Sequence, residues 1–287
     1  VRKVSITGGK GGTGKSTVAV NLAILLSRDR DVVLGDLDVE APNDHILLGV
    51  ELENESPVHV MMPFIDYERC TKCGACGRVC DTGAIMAPVG KPPFVFPRLC
   101  SGCRACFFAC PEKAILEGRR ILGSTYSTPV PHGGGFRLVT GMLREGEEHS
   151  SPVVLAARKR ADEEARDLLL VDTAAGTGNN VSIAITGSDL ILAVTEPTPL
   201  GAHDLSMILE LTGEMGLETW VVLNKAGIGS EDLIRSVAEE HGSRIVERIP
   251  YSREVVNSYI SSRPIALGDS RALAPYRRIA ELLGGVV

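Results

Sequence analysis

The sequence predicts an α/β fold, a mostly parallel sheet with helices on both faces, interrupted by a cysteine-rich insert. Three observations predict it. Short apolar runs alternate with segments of helical period, the signature of βαβ units covered on both faces. A glycine-rich turn joins the first run to the first helical segment. All eight cysteines fall between Cys70 and Cys110, and the rest of the 287 residues contain none. That length suits one or two domains with a sizeable core. Hydrophobic content of 44% with 23% charged residues argues against extended disorder.

The expected strands are Lys3–Thr7, Asp31–Gly35, Leu168–Asp172, Leu190–Thr195, Trp220–Leu223 and Arg244–Ile249, all short apolar runs. The first expected helix, Thr17–Ser27, spaces Val18, Leu22, Leu25 and Leu26 at the helical period. Ser151-Pro152 reads as an N-cap with proline at the first helical position, before a helix over Val153–Arg166. Ser230 reads as the cap of Glu231–His241, with Gly242 just past its end. Thr195-Glu196-Pro197-Thr198-Pro199 follows a strand and precedes a helix, which suits a structural turn. The stretch Arg271–Leu283 is amphipathic, with Tyr276, Ile279, Leu282 and Leu283 on one side. Its few basic residues and the interruption at Pro275 favour packing on the sheet over lying on a membrane. From Met62 to Arg120 the βα rhythm breaks, so the expected domains are 1–61 with 121–287 and an insert of 62–120. Gly118–Ser150, with Gly133-Gly134-Gly135, has little periodicity and reads as the return connection.

Several classes are disfavoured. The 30 Lys+Arg and 36 Asp+Glu give a formal charge of −6, leaving no global basic field for nucleic acid or anionic lipid. No apolar run approaches the ~18 residues of a membrane span. Val1 to Thr7 moves straight into strand-like alternation, without the basic and apolar regions of a secretion signal. The expectation is a cytoplasmic protein with neither nucleic acid nor membrane as partner. Six histidines (45, 59, 132, 149, 203 and 241) show no ligand spacing.

Gly9-Lys10-Gly11-Gly12-Thr13-Gly14-Lys15-Ser16 fits G-x-x-x-x-G-K-[ST] between a strand and a helix that opens at Thr17. Glycines let successive backbone N–H groups converge on phosphate oxygens, and the helix N-terminus adds its positive end. Lys15 is expected to meet the β- and γ-phosphates and the Ser16 hydroxyl to ligate Mg2+. On spacing alone, Lys10 reads equally well as a solvated surface charge. Asp36 and Asp38 end one strand and Asp172 another, at the carboxyl ends where open α/β sheets bind ligands. Leu168-Leu-Leu-Val-Asp172 has the arrangement of a Walker B strand, whose carboxylate holds Mg2+. Asn224-Lys225-Ala226-Gly227 begins like the guanine-reading N-K-x-D element but lacks its carboxylate, so ATP is favoured over GTP. Asn224 is a candidate contact to the base.

Lys10-Gly-Gly-Thr-Gly-Lys15-Ser16 resembles the deviant Walker A motif of the MinD/ParA/nitrogenase-iron-protein/Mrp group of P-loop ATPases. The resemblance implies an ATP-dependent homodimer in which Lys10 reaches the partner's phosphates. It also implies that Asp38 orients the attacking water, that Asp36 supports the Mg2+ site, and that Thr173 to Gly178, with Gly176, forms a mobile switch loop. It further places Ile249-Pro250-Tyr251 against the base and the 195–199 turn near the nucleotide.

The cysteines form two C-x₂-C-x₂-C-x₃-C repeats offset by 30 residues, with Ala84-Ile85 matching Ala114-Ile115 in the same frame. Three close thiols cover three irons of a cubane, and the fourth cysteine serves the other cluster. The expected sets are Cys70, Cys73, Cys76 with Cys110, and Cys100, Cys103, Cys106 with Cys80, each holding one [4Fe–4S] cluster. Zinc is the other reading, although its structural sites usually take paired C-x₂₋₄-C units. Over some 50 residues the module resembles a bacterial two-cluster, α+β ferredoxin, departing from it at Asp81, where proline usually follows the last cysteine. From Met62 to Arg120 there are nine Lys/Arg and five Asp/Glu, a surplus of +4 that anionic clusters would offset.

The whole chain thus resembles MinD-superfamily ATPases with an inserted ferredoxin domain. The resemblance implies ATP hydrolysis coupled to electron transfer or cluster delivery, toward a redox or apo-iron–sulfur protein partner. The alternative is a spatial or regulatory switch whose clusters are structural or oxygen-sensing. With no cysteine after Cys110, a cluster bridging two subunits from the ATPase body is excluded.

Overall fold

A computed structural model describes residues 1–285. In chain order its elements are β1 (Arg2–Thr7), α1 (Lys15–Leu26), β2 (Val32–Asp36), α2 (Asp44–Leu48), β3 (Ser56–Ile65), α3 (Ala75–Arg78), β4 (Ile85–Met86) and β5 (Phe94–Val95). There follow α4 (Ala105–Ala109), β6 (Ile115–Val130), β7 (Phe136–Leu143), α5 (Ser151–Glu164), β8 (Leu168–Asp172), α6 (Asn179–Ile185) and β9 (Leu190–Thr195). The chain closes with α7 (Pro199–Glu214), β10 (Thr219–Ala226), α8 (Asp232–Glu240), β11 (Arg244–Pro250), α9 (Arg253–Ile260) and α10 (Ala274–Gly285). It divides into two compact units. The first holds Val1–Ser56, Thr125–Met142 and the residues from Val153 onward; the second holds Pro57–Ser124 and Leu143–Pro152.

In the first unit the strands run in the order β11-β10-β9-β1-β8-β2-β7. Every adjacent pair in that series is parallel. Both faces are covered, which explains why the strands read as continuous apolar runs. On one face Val4, Ile6, Leu34, Leu170 and Val222 pack with α1 and with Tyr276, Ile279 and Leu283 of α10. On the other, Ala193, Val221 and Leu223 pack with Leu205, Ile208 and Leu209 of α7 and with Ile234 and Ala238 of α8. The register sets Ile6 beside Asp172 and Asp172 beside Asp36, so two carboxylates end neighbouring strands at one level.

Several elements differ from the expected ones. The return connection contains β6 and β7, which an apolar-run criterion misses because buried hydroxyls fill the end of β6. Ser124, Thr125, Ser127 and Thr128 are all buried there. Ser127 Oγ donates to Glu164, and Thr128 Oγ1 accepts from the Glu53 amide. β3 escapes notice because Pro57 and Pro63 break its pattern. Ser151 lies inside α5 and does not cap it from outside. Pro275 sits in the first turn of α10, where its missing N–H costs nothing, and Leu282 is exposed. No helix among the described residues is long and apolar enough to cross a membrane.

The second unit repeats its own backbone. Left-handed residues recur at the 30-residue offset, as Lys72 with Gly102, Gly74 with Arg104 and Gly83 with Lys113. Helices α3 and α4 follow the second of these pairs. Ile85 and Ile115 share a small core with Met61 and Cys106, flanked by Cys76, Cys80 and Cys110. The expected insert, 62–120, stands against a unit that begins at Pro57 and also takes Leu143–Pro152. Partly buried Arg120 explains this second segment. It pairs with Glu147 and donates to the Cys100 carbonyl at 3.2 Å, while His149 Nε2 lies 3.3 Å from the Leu99 carbonyl.

Tyr276 is fully buried, and its hydroxyl has no partner. An unsatisfied buried hydroxyl costs about 1–3 kcal/mol, so Tyr276→Phe is expected to leave stability unchanged or raised. Tyr276→Ala, which empties the space, is expected to cost about 3–5 kcal/mol. Urea unfolding of both variants checks the pair, and a destabilised Tyr276→Phe would show that the hydroxyl is held.

Candidate functional site

The loop between β1 and α1 is shaped by close backbone approach. At Gly9 an added Cβ would lie 2.2 Å from Asp204 Cβ on α7. Gly14, with φ of 96°, caps α1 in the left-handed region and abuts the Asn224 amide. No acidic side chain occupies the first turn of α1, so its positive end is free for an anion. Three side chains hold the loop from the ends of β9 and β10. Asn224 Nδ2 donates to the Thr13 carbonyl at 2.6 Å, and Lys225 Nζ donates to the Gly12 carbonyl at 2.8 Å. Glu196 pairs with Lys225 at 2.8 Å and with Lys10 at 2.6 Å.

This loop borders a cavity of about 380 Å³. Gly11, Gly12, Gly14, Lys15, Ser16 and Thr17 line one end, with Asp38 and Asn43 beside them. Pro250, Tyr251, Val255, Val256 and Tyr259 line an apolar wall. Asn224 and Lys225 also face it. Of the residues expected at the nucleotide, Gly9, Lys10, Thr13 and Gly176 do not line the cavity. Gly9 packs on Asp204, Lys10 is held by Glu196, Thr13 is buried, and the Gly176 amide donates to the Gly8 carbonyl at 3.0 Å. Asn224 lines the cavity, but its amide already serves Thr13, and its Oδ1 accepts from the Lys225 amide at 2.9 Å. Helix α9, including Tyr259, carries no motif that would have announced it.

Behind the loop lie the carboxylates. Asp36 and Asp172, two of the three residues expected at Mg2+, are buried, and Asp172 is hydrogen-bonded with Ser16, the third. Burial pushes Asp172 up to about 7 against the pull of Ser16 and Lys15. Burial also raises Asp38, opposed by Lys15. Asp36 is raised by burial and then by Asp172, although it accepts the amides of Asn43 and Asp44 at 3.0 and 3.1 Å. Asp44, which the sequence disguises as an ordinary helix-start acid, joins them. One oxygen from each of Asp36, Asp44 and Asp172 lies within 4.8 Å of the other two.

In the second unit, Cys70, Cys73, Cys76 and Cys110 line one small cavity. Burial raises Cys76, with further contributions from Cys70 and Cys110. Burial likewise pushes Cys106 up to about 11, with Cys100 and Cys103 adding to it. The thiols thus group as {70, 76, 110} and {100, 103, 106}, with all eight free of disulfides. Cys80 Sγ lies 3.7 Å from Thr82 Oγ1. Among the described residues no three sulfurs come within 4.8 Å of one another.

Residues 4–265 match the family model of the CobQ/CobB/MinD/ParA nucleotide binding domain. An uncharacterised protein of Methanocaldococcus jannaschii is 33% identical over 245 residues, 85% of this chain and 87% of that protein. An iron-sulfur cluster carrier protein of Pyrococcus abyssi is 50% identical over 52 residues, 18% of each. Among solved structures, the septum site-determining protein MinD of Pyrococcus horikoshii, complexed with Mg-ADP, shares the fold with a TM-score of 0.62. It is 18% identical, and the match covers 99% of this chain and 96% of that one.

Burial raises the Glu196 carboxyl, but hydrogen bonds from Lys10 and Lys225 outweigh it and hold the group below its ordinary 4.5. Its contribution is therefore present above the unfolded value and lost as pH falls through the lower folded one. Glu196→Gln is expected to flatten the acid limb of a melting-temperature profile between about pH 3 and 7. An unaltered limb would mean that the two lysines do not bear on the folded state.

Proposed function

Since the chain belongs to the CobQ/CobB/MinD/ParA nucleotide-binding family, we propose that it binds and hydrolyses Mg-ATP and couples that switch to electron transfer or iron–sulfur delivery. The observation that carries this reading is the cavity in which Lys15 and Ser16 open α1 beside Asp38, with buried Asp36 and Asp172 behind. The loop amides cradle the phosphates, and Lys15 neutralises the β- and γ-oxygens. Ser16, with Asp36 and Asp172, holds Mg2+, which when bound draws charge from the same oxygens. Asp38, on the cavity wall, orients a water in line with the γ-phosphorus. The new P–O bond forms from that water as the bond to ADP breaks, and catalysis is mainly positioning and electrostatics. Tyr251, Val255, Val256 and Tyr259 offer the base an apolar wall, and Gly227 leaves no carboxylate for guanine. In an ATP-dependent homodimer, Lys10 leaves Glu196 for the partner's phosphates.

Cys70, Cys73, Cys76 and Cys110 hold one [4Fe–4S] cluster, and Cys80, Cys100, Cys103 and Cys106 hold the other. The convergence of the first set on one cavity supports this. The short likeness to an iron-sulfur cluster carrier points the same way. When bound, the clusters supply one-electron storage. Cys73 and Cys103 are exposed, which leaves those edges open to a redox or apo-iron–sulfur partner.

Anaerobically purified protein is expected to contain about eight irons per chain and to show reduced-cluster EPR signals. ATP is expected to shift those signals. Lys15→Gln is expected to lower hydrolysis on the order of 100-fold and to abolish the ATP-dependent shift, with iron content unchanged. Signals indifferent to ATP in an active ATPase would refute coupling; absence of iron would refute the cluster assignment.

A further inference from the structure

The carboxylates behind the loop include one that hydrolysis does not call for. Asp44 opens α2 with 0% exposure, and neither of its carboxylate oxygens has a hydrogen-bond partner. Asp172 Oδ1 is also buried and unpartnered. Asp36 differs, since the amides of Asp38, Asn43 and Asp44 fix its two oxygens. The charges that bear on Asp44 are Asp36, Asp172 and Asp38, all acidic. Burial and these carboxylates disfavour the charged form of Asp44 in the empty site, and a cation sharing its space would restore it.

We propose that Asp36, Asp44 and Asp172 form a buried site for one hard divalent cation, Mg2+ or Mn2+, that fills directly from carboxylates before nucleotide arrives. Carboxylate oxygens suit these ions and not thiophilic ones. In an octahedron with bonds of ~2.1 Å, ligand atoms stand about 3.0 to 4.2 Å apart. The three oxygens already lie within 4.8 Å of one another, so a slight contraction brings them onto one ion. Asp44 supplies the free oxygens, Asp172 supplies one more, and Asp36 is held in place by the backbone. The site goes beyond the ATPase reading, because its filling requires neither ATP nor hydrolysis.

The test uses the full-length, anaerobically purified chain, freed of divalent ions and nucleotide, titrated with Mn2+ and followed by the EPR signal of the free ion. One Mn2+ per chain is expected, displaced by excess Mg2+ and accompanied by a rise in melting temperature. Asp44→Asn, close in shape, is expected to weaken Mn2+ binding roughly 100-fold and to lose the Mn2+-dependent rise. Wild-type protein that binds no Mn2+ without nucleotide overturns the site, as does an Asp44→Asn variant that binds it equally well. The wild-type titration stands alone if the variant does not fold. Failure of Mn2+ binding with ATP hydrolysis intact overturns this site only; retained Mn2+ binding without hydrolysis overturns the ATPase reading only.

Discussion

The first unit depends on how closely one stretch of backbone can be brought to its neighbours. The turn after β1 presses Gly9 against Asp204 and Gly14 against Asn224, with no space for a side chain at either point. Such contact strips carbonyl groups of water, and each must find a donor inside the protein. Thr13 finds Asn224 and Gly12 finds Lys225, both from the end of β10. The shape of the loop is therefore imposed from outside it, by a strand more than 200 residues further along the chain. This is why a parallel sheet is needed: it gathers the carboxyl ends of β1, β2, β8, β9 and β10 along one edge.

Much of this was legible in the sequence, and the reasons are physical. The strands Leu168–Asp172 and Leu190–Thr195 are bounded in the structure as the apolar runs are, because strands buried on both faces admit few polar residues. The phosphate loop was legible because its glycines follow from backbone geometry. What escaped were features that depend on distant partners. The hydroxyl-rich end of β6 is stable as a strand because Glu53 and Glu164 satisfy its hydroxyls. The role of Glu196 rests on two lysines, 186 and 29 residues away in sequence, and Thr195–Pro199 alone reads as a turn. Asp44 looks like any acidic residue at a helix start until folding removes its water.

In the second unit the 30-residue cysteine repeat of the sequence returns as a repeat of backbone conformation. Its two halves conserve backbone conformation without conserving the residue that adopts it. Glycine occupies a left-handed position in one half, and lysine or arginine the matching position in the other. A left-handed residue other than glycine costs free energy, and the loop geometry outweighs that cost at three positions, Lys72, Arg104 and Lys113. The same shape recurs whichever side chain is available.

The bond between Glu196 and its two lysines has a further consequence. A buried anion with a single counter-charge is stranded when that partner departs, which makes departure slow. Glu196 has two, so it can surrender Lys10 and remain neutralised by Lys225, which stays anchored on the Gly12 carbonyl. Withdrawal of Lys10 would thus leave the carboxylate with a counter-charge, and Lys225 alone would still tie it to the loop.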